Sequence, residues 1–230
     1  MKFAITETKI IKIKMKKLLL LLLTLVSISF SNAQNSDLSI EEIESAKQQV
    51  RNKVTDFQFQ LEILADKNKL SSTRQSAVRI AKSLFYNNGG TFDIPTYYYN
   101  NLIMKKDTCI MEEKSLSGKR TWSWVCNYLD KLGTTAMRLK ISSADEVRVD
   151  TPYKTGENQY TCIAHMYQKY EKTYWNKSCE CWRKYIDYTK KKISAIIEIR
   201  EYFDGIENVK KLVIKLDDCE VDEVTSYYNN

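Results

Sequence analysis

His165 is the chain's single histidine, and histidine is the side chain that most readily changes charge near neutral pH. It falls in an aromatic and β-branched run, and period-two alternation puts it on the same side as Ile163 and Tyr167. There it could act as a general base if a carboxylate oriented it. Asp187, two residues beyond Tyr185 in the next long run, is the candidate for that carboxylate. Spacing alone identifies neither a nucleophile nor a third orienting group, so an ordinary strand histidine is the favoured reading. The chain also lacks a phosphate-cradling glycine loop, a serine nucleophile elbow and an HExxH pair, and no cofactor is expected.

Six cysteines, Cys109, Cys126, Cys162, Cys179, Cys181 and Cys219, offer either disulfides or metal ligands. One histidine and no CxxC pair do not make a structural zinc site, and no metal is expected. An even count in an exported chain points to disulfides, at least two of them, with about 15 pairings open. Cys109, Cys126, Cys179, Cys181 and Cys219 are the candidates, while Cys162, flanked by apolar strand positions, reads as an unpaired small hydrophobe. Cys179-Glu180-Cys181 looks too close-set for an easy mutual bridge, which favours partners elsewhere.

Aromatic side chains are the other chemical resource, with 15 tyrosines and four tryptophans. Tyr97-Tyr98-Tyr99 stand out because three adjacent rings on an extended segment cannot all turn inward. They are the candidate ligand-binding residues. Lys190-Lys191-Lys192 and Asp217-Asp218 read as solvated edges or turns.

The elements that must position these groups follow from periodicity. Ile40, Ile43, Val50, Val54, Phe57, Leu61 and Leu64 recur at helical spacing, behind a capping box of Ser39 and Glu42, and predict a helix ending near Lys67. Ser72 and Gln75 form a second box, opening a helix with Ala77, Ile80, Ala81 and Leu84 on one face. Asn87-Asn88-Gly89-Gly90 stops it. Thr91 to Ile94 and Cys109 to Lys114 read as short strands, and Trp122 to Leu132 as a short helix. Short alternating segments follow at Met137 to Ile141 and Glu146 to Val149. The last third carries long strand-like runs at 159–174, 185–203 and 209–224, with Asp204-Gly205 as a turn. Helices followed by long antiparallel strands make an α+β class, read as one domain over residues 34–230.

The N-terminus indicates the compartment. Met15-Lys16-Lys17, an apolar stretch from Leu18 to Phe30 and the small exit residues Ser31-Asn32-Ala33 match a secretory signal peptide over residues 1–33. The stretch is 13 residues long and falls short of the ~20 a spanning helix needs, so cleavage after Ala33 and no stable membrane anchor are expected. The signal is complete from Met15, which makes Met15 a candidate start. Of 36 basic and 29 acidic side chains, six lysines and Glu7 lie in residues 1–33, leaving a nearly balanced 30 against 28. That balance removes the main reason to expect nucleic-acid binding.

Three segments carry a resemblance to a known family. Tyr128-Leu129-Asp130-Lys131-Leu132 is the first. Tyr188-Thr189-Lys190-Lys191-Lys192-Ile193 leading to Ile196-Ile197 is the second, and Lys215-Leu216-Asp217-Asp218-Cys219-Glu220-Val221 the third. Over roughly residues 120–224 the chain resembles exported bacterial proteins of the nuclear transport factor two-like fold, a cone in which a strongly curved antiparallel sheet wraps N-terminal helices. Enzymes on that cone, such as ketosteroid isomerase and polyketide cyclases, use Asp, His or Tyr in the pocket, and none of their motifs maps onto numbered positions here. The resemblance therefore implies a fold and leaves the activity open. The expected function is a non-catalytic periplasmic or secreted module that recognises or scaffolds a protein, peptide or glycan. The alternative is a small-molecule enzyme, isomerase-, cyclase- or hydratase-like, using His165 and a carboxylate in a cone pocket.

Overall fold

The computed structural model describes residues 38–98, 101–114, 119–134 and 139–229. The signal segment 1–33 and Tyr99 lie outside them. Ile40–Asn230 form one compact unit of mixed α+β class, separate from Met1–Ser39.

Helix α1 spans Ile40–Ala65, about 39 Å at 1.5 Å per residue. Its predicted stripe is buried from Val50 onward, with Val50, Val54, Phe57, Leu61 and Leu64 fully enclosed, while Ile40 in the first turn is exposed and Ile43 half-buried. Each such side chain contributes roughly 1.5–3 kcal/mol through burial. Helix α2 (Ser71–Ser83) buries only Ala77 and Ala81, so it can lie close to its neighbours. Its N-cap is Leu70, with no side-chain cap bond, so the predicted Ser72–Gln75 box is not made; both residues already lie inside the helix. Asn87, Asn88 and Gly89 then take φ of 41°, 52° and 77°, the left-handed turn predicted for this stretch. A Cβ on Gly89 would stand 2.9 Å from the Val125 side chain, so glycine is required there for space as well as for φ.

The strands are β1 (Thr91–Tyr98), β2 (Asn101–Thr108), β3 (Ile110–Lys114), β4 (Arg120–Trp124), β5 (Leu139–Ser143), β6 (Arg148–Val149), β7 (Tyr153–Gly156), β8 (Gln159–Asn176), β9 (Cys181–Phe203) and β10 (Asn208–Asn229). Helix α3 (Val125–Thr134) separates β4 from β5. The predicted helix from Trp122 therefore starts three residues later, and both tryptophans belong to a strand. Trp122 and Trp124 alternate with Thr121 and Ser123 in a ladder with β3, and the helical apolar spacing begins only at Val125.

β1 and β2 form a separate hairpin. The other eight strands form one sheet with the path β4-β3-β10-β9-β8-β5, and β6 and β7 continue the β5 edge along β8. Every pairing in it is antiparallel except the single β10–β3 register, Cys219 opposite Met111. Strict alternation on β8 buries Tyr160, Cys162, Ala164, Met166 and Gln168, and their β9 partners Ile197, Ala195, Ile193, Lys191 and Thr189 lie on the same face. The helices cover this inner face, with α1 touching β5, β6, β8, β9 and β10. Phe57 of α1 meets Phe85 edge to face at 4.9 Å in the core. Two bulges in β10, between Leu216 and Cys219 and between Val221 and Glu223, keep its apolar residues on the inner face as the strand bends.

Candidate functional site

The alternation that builds the core also separates the two proposed catalytic groups. His165 lies opposite Lys192 on the outer face, and Asp187 lies opposite Tyr170 on the inner face. They are five registers apart, about 17 Å along the strands. The expectation that Asp187 orients His165 is therefore corrected: the sheet itself stands between them. Asp187 accepts hydrogen bonds from Tyr185 Oη at 3.1 Å and Thr189 Oγ1 at 3.2 Å, and burial pushes its carboxyl above the usual range. His165 instead meets Asp150, with Nε2 3.1 Å from Oδ2 and 3.3 Å from Oδ1. Its Nδ1 is buried without a partner among the described residues. The sequence gives no sign of Asp150, because it follows the two-residue strand β6 and reaches His165 only through the β6–β8 pairing.

Grooves open on the surface of the described residues. One, of about 810 Å³, runs between Arg51, Thr55 and Gln58 of α1 and the segment from Ser143 to Val149. Another, of about 280 Å³, lies over Tyr167, Tyr188 and Lys190. Neither His165 nor Asp187 lines either of them.

The charged runs read as solvated are in part structural. Alternation turns Lys190 and Lys192 outward, where both pair with Asp222 at 2.8 Å, and drives Lys191 into the interior. Lys191 Nζ lies 3.6 Å from Met111 Sδ and faces the rings of Tyr128 and Tyr170 at 5.7 and 5.9 Å. Burial alone would lower its pKa, yet its surroundings, Glu113 and Glu112 among them, hold it above the ordinary lysine value. Asp217 and Asp218 are also not free edges. Asp218 accepts the Ile110 N–H at 2.8 Å and Asp217 accepts the Cys109 thiol at 3.4 Å, tying β3 to β10. Buried Glu112 reinforces that junction by accepting from Val221 N at 2.8 Å and Arg120 Nη1 at 2.9 Å.

The cysteines also depart from expectation. The disulfide present is Cys179–Cys181, the pair that spacing disfavours, and Cys109, Cys126, Cys162 and Cys219 are not part of it. Glu180 has φ of 48°, and this left-handed residue in the β8–β9 turn brings the two Cα atoms to 5.3 Å, inside the usual bridging range. Cys126 lies in α3 and Cys219 in β10, while Cys109 stands between β2 and β3. Burial raises the Cys219 thiol to about 11 and that of Cys162 to about 12, so both remain protonated packing groups. Among the described residues no cluster of three His, Cys, Asp or Glu side chains could hold a metal ion. No described helix is long and apolar enough to cross a membrane.

The aromatic surface is where the side chains converge. All four tryptophans are well exposed, at 60% for Trp122, 47% for Trp124, 46% for Trp175 and 56% for Trp182. They form two groups. Trp122 and Trp124 share one side of β4, the terminal strand of the sheet path. Trp175 and Trp182 are direct cross-strand partners near the end of the β8–β9 hairpin, with ring centroids 5.5 Å apart and planes at 73°. Of the tyrosine run that the sequence makes the candidate ligand site, Tyr97 and Tyr98 lie in β1, opposite Leu102 and Asn101. The tryptophans carry no such signal, because an isolated strand tryptophan looks the same in sequence whether it packs or projects. No protein-family model matches this chain, and no curated protein or solved structure is significantly similar to it.

Proposed function

We propose that this protein is a non-catalytic exported module that binds a protein, peptide or glycan through exposed aromatic surface. The exposure of all four tryptophans carries the reading. Tryptophan is large and mostly apolar, and leaving it in water forgoes burial worth roughly 1.5–3 kcal/mol per large side chain. Tryptophan is also the residue most enriched at binding hot spots. The protein keeps its tryptophans outside a core already filled by Phe57, Phe85, Tyr160 and Met166. The signal-like residues 1–33 and the Cys179–Cys181 bridge support a periplasmic or secreted location. Helices set against one face of a bulged antiparallel sheet support the nuclear transport factor two-like assignment.

The test is covalent cross-linking of the exported protein to its surroundings, comparing Trp122→Ser/Trp124→Ser and Trp175→Ser/Trp182→Ser with the native chain. Each variant is checked for native far-ultraviolet circular dichroism. At least one pair should lose its adducts by tenfold or more, and His165→Ala should keep them. Retention of every adduct by both tryptophan variants, or loss of function in a folded His165→Ala protein, would turn the assignment toward the enzyme.

A further inference from the structure

β4 closes the sheet path, and its hydrogen-bonding phase can be read from two bonds. The Val125 N–H donates to the Cys109 carbonyl at 3.0 Å, one register beyond Trp124 opposite Ile110. In an antiparallel ladder bonded and non-bonded pairs alternate. Ser123–Met111 and Thr121–Glu113 are therefore the bonded pairs, and Arg120, Trp122 and Trp124 turn their main-chain groups away from β3. The Ile110 N–H agrees with this phase, since it donates away from β4 to Asp218 Oδ1 at 2.8 Å. The open side of β4 thus presents the N–H and C=O of Arg120 and Trp122 and the N–H of Trp124. None of these has a main-chain partner among the described residues. Exposed sheet edges are commonly blunted by short length, charged side chains, a covering helix, a bulge or proline. β4 has the first two of these, five residues and a basic start at Lys119-Arg120, but it holds no proline and its register with β3 is unbroken, and two of its three outward N–H groups belong to the exposed Trp122 and Trp124.

We propose that β4 is a docking strand, and that its occupant is an extended acidic peptide that joins the sheet edge by main-chain hydrogen bonds. This deepens the binding-module reading and rests on it. Strand addition supplies affinity through the backbone and specificity through alternate side chains. Here Trp122 and Trp124, two residues apart on one side, would cover apolar side chains at alternate peptide positions. The other end of the strand is cationic: Lys119 precedes it and Lys114 lies directly opposite Arg120, while Arg120 itself is already paired with the buried Glu112 at 2.9 Å, so Lys119 and Lys114 are the charges offered to a ligand. An aspartate or glutamate in the peptide complements that end. Length argues against a second copy of the chain as the occupant. Five residues extend only about 16 Å, too short a seam for the ~1,000 Å² that a stable protein interface needs.

A displayed library of random nonapeptides panned against the native full chain tests the inference. Enriched peptides are synthesised and bound to the wild-type protein, and amide hydrogen exchange is followed residue by residue. The amides of Arg120, Trp122 and Trp124 should slow at least tenfold, and enriched sequences should carry an acid and alternating apolar residues. N-methylation of alternate peptide residues should weaken binding tenfold or more in one phase and little in the other, a dependence that side-chain recognition alone does not produce. Protection confined to the hairpin around Trp175 and Trp182 would overturn β4 as the docking strand and leave the binding-module reading standing. Enrichment of no peptide would overturn the inference too, and the cross-linking comparison then decides the broader reading independently.

Discussion

Single residues on β9 and β10 show how one register position decides a side chain's role. Lys190, Lys191 and Lys192 are chemically identical neighbours, yet two are outer-face partners of Asp222 and the third is a buried cation under Tyr128 and Tyr170. The bulge at Asp222 lets one carboxylate reach two lysines that flank an inward residue. Those two lysines lower the Asp222 carboxyl to about 2, and Lys169 and Lys184 lower Glu171 to about 2. A carboxyl depressed in the folded state adds stability that is present above its unfolded pKa and lost as pH falls through the folded one. The urea midpoint should therefore decline between about pH 4.5 and pH 2. The decline should be shallower in Asp222→Asn, by a modest amount because both groups remain in contact with water. An identical decline in the variant would show that the triad contributes nothing to acid sensitivity.

Elements here owe their placement to polar clamps as much as to apolar faces. The parallel β3–β10 contact has a single register pair, and the carboxylates Glu112 and Asp218 complete it by accepting main-chain N–H groups across the gap. Small residues do the same for the helices: a Cβ on Gly133 of α3 would lie 2.8 Å from Val78 Cγ2 of α2, so that close approach depends on glycine. At the far end of the sheet the β8–β9 hairpin closes on the Cys179–Cys181 bridge. A bridge across so short a loop restricts the unfolded chain little, so replacing both cysteines by serine should cost no more than about 2 kcal/mol in global stability. Its effect should be local. Amide exchange around residues 176–182 should speed up in the variant while the inner residues of β8 stay protected, as hydrogen-exchange mass spectrometry would resolve. A global loss well above that bound would mean the bridge constrains more than its own turn.

On the scale of the whole unit, the helices and the sheet need each other. Val54, Phe57, Leu61 and Leu64 of α1 and Tyr160, Ala164, Met166, Ile193 and Ile197 of the sheet are all buried. The buried face of each layer is formed against the other. Residues 40–229 should therefore unfold in one cooperative step, with fluorescence and circular dichroism transitions coinciding. Leu61→Ala, at a fully enclosed position, should lower the stability of that step by about 2–5 kcal/mol. A protease-resistant fragment of 120–224, or two separated transitions, would show that the sheet stands without α1.

Sequence alone determined the class and much of the layout. Helical spacing in α1, the asparagine–glycine stop, the three long strands and the Asp204-Gly205 turn are local patterns, and the physics that sets them acts over a few residues. The nuclear transport factor two-like assignment, the binding partner and the place of delivery are proposals built on those patterns. Tertiary structure decided the rest because pairing between distant strands is not written locally. The β6–β8 register chose Asp150 over Asp187 as the partner of His165, and alternation with bulges set Lys191 inside between two solvent-facing lysines. A left-handed Glu180 made the short disulfide geometrically accessible, against the expectation from spacing. The tryptophans show the division most clearly. Their number is in the sequence, but their exposure depends on where β4 and the end of the β8–β9 hairpin stand relative to the helices. That placement is fixed only when the inner face of the sheet has been covered.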